Sequence, residues 1–136
     1  MILIDTHPLI WFSQGDKKLG SKTCRLIEES FAAGACVVSP MSFWEAAMLT
    51  DKRRIALGRA VIEWMNEVLR QGVRLAPLSP EIAIDAGQLP GDIHGDPSDR
   101  IIVATARALS CSLITADHLI LAYGEAGHVA TIDAKR

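Results

Sequence analysis

A chain of 136 residues can build one hydrophobic core but not two, so the sequence predicts a single domain over residues 1–136. With 49% hydrophobic and 22% charged residues, the composition is that of a folded globular protein and excludes extended disorder. The net charge of -2 argues against a non-specific DNA-binding protein, although a local basic rim could still hold RNA.

The first residues carry no targeting signal, because Asp5 follows only three apolar residues after Met1 and no basic region precedes them. No apolar run approaches the ~18 residues that a membrane-spanning helix requires, so we expect a cytoplasmic protein. Cys24, Cys36 and Cys111 lack C-x-x-C spacing, which predicts reduced and mostly buried thiols. The four histidines show no i, i+4 pair, and zinc is therefore not expected.

The predicted elements alternate between short apolar strands and longer helices. In chain order they are a strand at 2–4, a helix broken at Gly15, a helix at 21–34, a strand at 36–38, helices at 41–52 and 58–70, and a strand at 73–75. A short helix opened by Ser79 and Pro80 follows, then a loop at 87–97, a helix at 98–109, a strand at 113–114, a helix at 117–123 and a strand at 128–132. This alternation predicts an α/β fold, with a mostly parallel twisted sheet of four to five short strands flanked by helices.

Four acidic residues stand where an apolar segment gives way to a predicted helix: Asp5, Glu45, Asp99 and Asp117. Each has an ordinary explanation, because aspartate is a preferred N-cap and an acid in the first turn favours the helix macrodipole. Asp96, which precedes Pro97, is likewise interpreted as an N-cap. In an open parallel sheet, however, the segments that follow the strands converge on one edge, where ligands bind. Four carboxylates there repel one another unless cations lie among them, which favours a pair of divalent metal ions and phosphodiester hydrolysis.

Glu45 is an unusual surface acid, because the residues from Phe43 to Leu49 around it are otherwise almost all apolar. Ser42, three residues earlier, permits a capping box in which Glu45 reaches back to a backbone amide. Metal binding is the other interpretation, since a lone charge in apolar surroundings is costly without a partner. The sequence leaves both interpretations open.

Four segments together resemble the PIN-domain nucleases, and specifically the VapC-type toxin ribonucleases: M-I-L-I-D-T-H at 1–7, S-P-M-S-F-W-E at 39–45, H-G-D-P-S-D-R-I-I-V-A-T-A at 94–106 and L-I-T-A-D at 113–117. Their order and spacing are specific, and the resemblance covers the full length. One departure is Ser98, where the family commonly has an aromatic residue. The resemblance implies that the family's four catalytic, metal-binding acids are Asp5, Glu45, Asp99 and Asp117. It also implies a hydroxyl group beside the acids, which Thr6 or Thr115 would supply as a contact to the substrate.

The chemistry expected of such a site is metal-dependent hydrolysis of RNA. Hard cations such as Mg²⁺ or Mn²⁺ prefer carboxylate and water oxygens, and a pair of them can activate an attacking water. We expect Asp5 to be the central ligand, Glu45 and Asp99 to complete one metal site, and Asp117 to support a second site or orient water. RNA phosphates need cations nearby, for which Arg100 is the first candidate and the basic run at 52–54 the next.

Large apolar side chains in the first and third helices exceed what two short helices need for a core: Trp11, Phe12, Met41, Phe43, Trp44 and Met48. They indicate either core packing or a groove for a partner helix. The resemblance implies that the partner is a cognate antitoxin, and that the chain forms a homodimer that assembles further with it.

The alternative function is a non-catalytic PIN-like module that binds RNA or serves as a scaffold. Such a module would be expected to have lost one of the four acids, and none is lost. A response-regulator receiver requires adjacent acids after the first strand, and a D-x-D-x-T phosphatase requires a second aspartate two residues after Asp5. Neither pattern is present, because Thr6 and His7 follow Asp5.

Overall fold

Five short strands form one parallel sheet in the computed structural model, which describes residues 1–93 and 95–136. The strands are β1 (Ile2–Ile4), β2 (Cys36–Val38), β3 (Arg74–Leu75), β4 (Ser112–Thr115) and β5 (Thr131–Asp133). Their order across the sheet is β3-β2-β1-β4-β5, and every neighbouring pair is parallel. The predicted α/β class and parallel sheet are therefore confirmed.

Seven helices connect the strands within the described part of the chain. They are α1 (Thr6–Gln14), α2 (Ser21–Ala32), α3 (Pro40–Asp51), α4 (Val61–Arg70), α5 (Pro80–Gly87), α6 (Pro97–Leu109) and α7 (His118–Glu125). None of these helices combines the length and the apolar character needed to cross a bilayer.

Two predicted boundaries are wrong for local reasons. The helix predicted from residue 58 begins only at Val61, because Gly58 has a φ of 75°, a left-handed conformation that an α-helix does not contain. The strand predicted at 128–132 is instead Thr131–Asp133. His128 is held by the helices: its ring stacks on Tyr123 with centroids 4.5 Å apart, and its carbonyl accepts a hydrogen bond from Arg107 at 2.8 Å.

The sheet separates two hydrophobic cores, one on each face. Because side chains alternate along a strand, Leu3 enters one core with Leu113, whereas Ile4 enters the other with Ile114. Helix α6 contributes to the first core four side chains that are at most 1% exposed, Ile102, Val103, Ala104 and Ala106, which confirms that this helix is central. Cys36 and Cys111 are buried free thiols, and Cys24 is a half-buried one.

Strand β1 lies in the middle of the sheet, between β2 and β4. Its register pairs Ile4 with Val38 on one side and with Ile114 on the other. The three strands therefore end within one residue of the same level, and the segments that follow them emerge side by side. The candidate site is built at this edge, as expected for an open parallel sheet.

Candidate metal centre

Asp5 lies at the centre of this edge and is held on both carboxylate oxygens. Its backbone amide donates to the carbonyl of Ile114 at 2.9 Å, which continues the β1–β4 pairing by one residue. The Oδ1 atom accepts from the Thr6 amide at 2.8 Å and caps α1, while Oδ2 accepts from the Thr115 hydroxyl at 2.7 Å. The side chain is only 6% exposed, so two hydrogen bonds fix a buried carboxylate.

Glu45 projects from the second turn of α3, and the structure rules out its predicted capping box. The N-cap of α3 is Ser39, whose hydroxyl accepts from the Met41 amide at 3.1 Å, so Ser42 already lies inside the helix. The buried Ser42 hydroxyl instead accepts from the Thr6 hydroxyl at 3.0 Å. One Glu45 oxygen, Oε1, is buried without a hydrogen-bond partner among the described residues. A buried, unpaired carboxylate oxygen is costly unless a cation binds it.

Asp99 belongs to the first turn of α6, where Asp96 is the N-cap. Asp96 Oδ1 accepts from the amides of Ser98 at 2.9 Å and Asp99 at 3.3 Å, which confirms its predicted capping role. Pro97 follows at the first helical position, where its missing N–H costs nothing. This rigid helix start directs the Asp99 carboxylate toward Asp5 and Glu45.

Oxygen atoms of Asp5, Glu45 and Asp99 lie within 4.8 Å of one another. Asp117 is not part of this triple cluster, but it lines the same cleft while its Oδ1 caps α7 through the amides of Leu119 and Ile120. The cleft has a volume of about 390 Å³ and is called the acid cleft below; it is lined by Asp5, His7, Trp11, Glu45, Asp96, Asp99, Ala116, Asp117 and Lys135. The four acids predicted from the sequence thus line one cleft. Three of them lie close enough together for one cation to contact all three carboxylates.

The electrostatics of the acid cleft favour uptake of positive charge. Burial, and after it the neighbouring carboxylates of Asp5, Asp96, Glu45 and Asp117 in that order, together raise the pKa of Asp99 to about 8. Burial also raises the pKa of Asp5 to about 6, although the hydrogen bonds from Thr115 and Thr6 oppose this rise. Without a cation the cluster must therefore hold protons that its carboxylates would release in water.

The three residues predicted to contact substrate lie outside the open space of the acid cleft. Thr6 and Thr115 are both fully buried, and their hydroxyls donate to Ser42 and Asp5. Arg100 donates through Nε to the Ala86 carbonyl at 2.8 Å and through Nη1 to the Ile93 carbonyl at 3.4 Å. These bonds tie α6 to the end of α5 and to the loop that follows it. The basic run at 52–54 is exposed after α3 and does not line the cleft.

Sequence reasoning missed three residues that line the acid cleft: His7, Trp11 and Lys135. His7 and Trp11 share a face of α1, with ring centroids 6.2 Å apart. Their signal was the position of α1 directly after Asp5, because the first turns of that helix overlook the same edge. Lys135 follows β5, so the rule that located the acids at the ends of strands also applied to it.

The donor set suits a hard divalent cation. Three carboxylates offer oxygen ligands in a small space, and among the residues that the structure describes no histidine or cysteine joins them. Glu45 Oε1 has no other described partner. Oxygen-only ligand sets are those that Mg²⁺ and Mn²⁺ prefer over zinc or copper. The residues present therefore fit a divalent metal ion, and such a centre can act on a phosphodiester bond.

Comparison with known proteins agrees with this geometry. The PIN domain model matches residues 2–125 of the chain. The chain is similar to Ribonuclease VapC22 of Mycobacterium tuberculosis, with 34% identity over 116 residues that cover 85% of this chain and 86% of the relative.

Solved structures share the fold at lower identity. A toxin–antitoxin complex from Klebsiella pneumoniae matches with a TM-score of 0.64 and 19% identity, covering 98% of both chains. VapBC2 from Rickettsia felis, bound to a DNA fragment from its promoter, matches with a TM-score of 0.66 and 15% identity, covering 97% of this chain and 98% of the other. FitAcB from Neisseria gonorrhoeae matches with a TM-score of 0.64 and 16% identity, covering 98% of both chains.

Proposed function

Because this chain belongs to the PIN domain family, we propose that it is an endoribonuclease that uses Mg²⁺ or Mn²⁺ and acts as the toxin of a toxin–antitoxin pair. The observation that carries the proposal is the cluster of Asp5, Glu45 and Asp99, whose carboxylate oxygens lie within 4.8 Å of one another. The similarity to a VapC ribonuclease along most of both chains supports RNA as the substrate.

Asp5, Glu45 and Asp99 would hold the divalent cation. When bound, such a cation supplies an activated water for in-line attack on phosphorus and neutralises charge that develops on the phosphate. Asp117 lies at the side of the cluster, where its carboxylate can orient a water or support a second cation. The described hydrogen bonds to Asp5 come from the Thr6 amide and the Thr115 hydroxyl, and no described histidine or lysine donates to it. In this proposal the carboxylates therefore carry the chemistry.

Thr6 and Thr115 act as positioning residues in this proposal. Thr115 donates to Asp5 and also accepts from the Asp117 amide at 3.1 Å, so one buried hydroxyl links two of the acids. Thr6 joins α1 to α3 through the Ser42 hydroxyl, one helical turn before Glu45. The hydroxyls therefore fix the spacing of ligands that come from different elements.

Apolar surface near α1 and α3 supports a protein partner. Trp44 is 55% exposed on α3, while Phe43 packs edge-on against Trp64 in the core. Trp11 and Phe12 line a groove between α1 and α2 that we call the apolar groove, together with Leu19, Gly20 and Cys24 among others. Core packing thus accounts for part of the apolar excess, and the remainder is surface that a helix of an antitoxin can cover. A homodimer that assembles further with the antitoxin remains part of the proposal.

The test is cleavage of cellular RNA by the purified protein in Mg²⁺, with sequencing of the new ends. We expect cleavage in Mg²⁺ or Mn²⁺, none in EDTA, and a loss of at least about 100-fold for Asp5→Asn or Asp99→Asn. Asp51→Asn is the matched control, since Asp51 is exposed at the end of α3 and does not line the cleft. Cleavage that persists in EDTA, or in Asp99→Asn, would refute the metal-dependent mechanism. RNA binding without cleavage in Mg²⁺ or Mn²⁺ would favour a non-catalytic RNA-binding or scaffold module instead.

A further inference from the structure

Lys135 is the one lysine or arginine among the described residues that line the acid cleft, which otherwise presents five carboxylates. Its side chain is exposed and forms no ion pair with another described residue. We propose that the Lys135 ammonium binds a backbone phosphate of RNA next to the cleaved bond. This assignment rests on the proposed ribonuclease function and adds the residue that holds the substrate.

The backbone around Lys135 is held firmly, although its side chain is free. The Ala134 amide donates to the Thr115 carbonyl at 2.9 Å, and the Ala134 side chain is fully buried in the core beneath α1 and α2. The Lys135 amide donates to Asp133 Oδ1 at 2.9 Å, which closes a turn directly after β5. The side chain therefore leaves the sheet from a fixed point beside Thr115, the residue that also orients Asp5.

Helix α2 secures the same segment from the other side. The Gly20 amide donates to the Ala134 carbonyl and the Thr23 amide donates to the Arg136 carbonyl, both at 2.9 Å. The Thr23 hydroxyl donates to the Asp133 carbonyl at 3.1 Å. Gly20 is required for this approach, because a Cβ at that position would lie 2.0 Å from the Arg136 carbonyl oxygen. Residues 133–136 are thus built into the fold and do not form a loose tail.

The charge pattern of the cleft explains why a cation is needed at this point. Each RNA phosphate carries a negative charge, and the exposed parts of Asp96, Asp99 and Asp117 repel it from the cleft mouth. The predicted alternative, Arg100, donates to the Ala86 and Ile93 carbonyls and does not line the cleft. Lys135 is left as the described side chain that combines positive charge with a position on the cleft wall, and a flexible ammonium suits a phosphate oxygen.

Steady-state cleavage of a short single-stranded RNA in Mg²⁺ tests the assignment, with Lys135→Ala compared with the wild type. We expect KM to rise roughly tenfold with kcat changed less than about threefold, because a substrate phosphate contact is lost while the acids remain. The slope of log(kcat/KM) against log[salt] should become shallower by about 0.7, the effect of one phosphate contact to a single strand. Lys135→Arg keeps the charge and should restore KM to within about threefold of the wild type.

Lys18→Ala is the matched control, because Lys18 is exposed on the turn between α1 and α2 and does not line the acid cleft. If Lys135→Ala has the same KM and the same salt slope as Lys18→Ala, the assignment of Lys135 is wrong. Cleavage by the wild type would in that case still support the ribonuclease function. A rise in the Mg²⁺ concentration needed for half-maximal activity, with KM for RNA unchanged, would also overturn it, since Lys135 would then act on the carboxylates. If the wild type does not cleave RNA, the proposed function fails and the assignment fails with it.

Discussion

Thr115 is hydrogen-bonded to three separate parts of the site. Its buried hydroxyl donates to Asp5 at 2.7 Å, accepts from the Asp117 amide at 3.1 Å, and its carbonyl accepts from the Ala134 amide. One residue at the end of β4 therefore positions the acid that follows β1, the acid that precedes α7 and the backbone that carries Lys135. Its bond to Asp5 also opposes the rise that burial imposes on the pKa of that carboxyl.

We predict that Thr115→Val lowers RNA cleavage by about 10- to 100-fold and raises the Mg²⁺ concentration for half-maximal activity, because Asp5 loses the donor that orients it. Thr115→Ser, which keeps the hydroxyl, should recover most of the activity. Thr105→Val is the control, since the buried Thr105 hydroxyl donates only within α6, to the Ile101 carbonyl at 2.7 Å. An unchanged Mg²⁺ requirement in Thr115→Val would contradict the positioning role.

The start of α2 shows how a helix can support a site to which it contributes no side chain. Gly20 is the N-cap of α2 without a side-chain capping bond, and its value lies in close packing against the Arg136 carbonyl. The first turn of α2 thereby satisfies backbone groups of residues 133–136 that no strand pairs.

We predict that Gly20→Ala destabilises the protein by about 1–3 kcal/mol, because its methyl group must displace the backbone at Arg136. RNA cleavage should show a higher KM in the same variant, since Lys135 moves with that backbone. The measurements are urea unfolding and steady-state kinetics on one preparation. Gly87→Ala is the control, because Gly87 has open space around its missing side chain and lies at the end of α5. A Gly20→Ala protein as stable as Gly87→Ala would refute the packing argument.

The sequence was sufficient to predict the order of the elements and the convergence of the acids. Asp5 follows the apolar strand β1 directly, and Asp117 follows β4 after one alanine. Asp99 opens a helix marked by Asp96 and Pro97, so local signals located all three acids. The parallel topology then required them to meet. Local pattern and fold agree here, and such agreement is what makes a site predictable.

Features that depend on distant contacts were not predictable in the same way. The Ser42–Glu45 spacing satisfied a capping box, yet Ser39 caps α3, and Ser42 bonds to Thr6, 36 positions earlier in the chain. Arg100 stood next to an acid in sequence, but its guanidinium is directed to carbonyls in other elements. His94 lies in the predicted loop and outside the described residues. Neighbours in sequence indicate a helix end well and a tertiary partner poorly.

In the molecule as a whole, repulsion between carboxylates is concentrated at the acid cleft. Asp99 has a pKa raised to about 8 and Asp5 one raised to about 6, both above the usual value of 3.8. The folded, metal-free protein therefore binds more protons than the unfolded chain at intermediate pH. The free energy of unfolding must then fall as the pH rises above about 4. Asp5 contributes to this fall up to about pH 6, and Asp99 contributes up to about pH 8.

We predict that the free energy of unfolding of the metal-free protein decreases between pH 6 and pH 8, and that Asp99→Asn removes this decrease. At pH 8 the variant should be more stable than the wild type by on the order of 1 kcal/mol, allowing for solvent screening of a half-buried carboxylate. Urea unfolding in EDTA at several pH values measures the free energy of unfolding of both proteins. Added Mg²⁺ should stabilise the wild type most at pH 8. Asp51→Asn serves as the control, and lower stability of metal-free Asp99→Asn at pH 8 would contradict the clustered site.

The central position of β1 also governs when the protein can become active. Its partner β4 lies 110 positions further along the chain, and the Thr115–Asp5 bond spans the same separation. Closing so long a loop costs conformational entropy, and β1 cannot pair with β4 until β4 has been synthesised. A nascent chain that has already formed β1, β2 and α3 still lacks Asp99, Asp117 and the strand that seats Asp5. The ribosome must therefore synthesise the chain at least through Asp117 before a competent nuclease exists beside it.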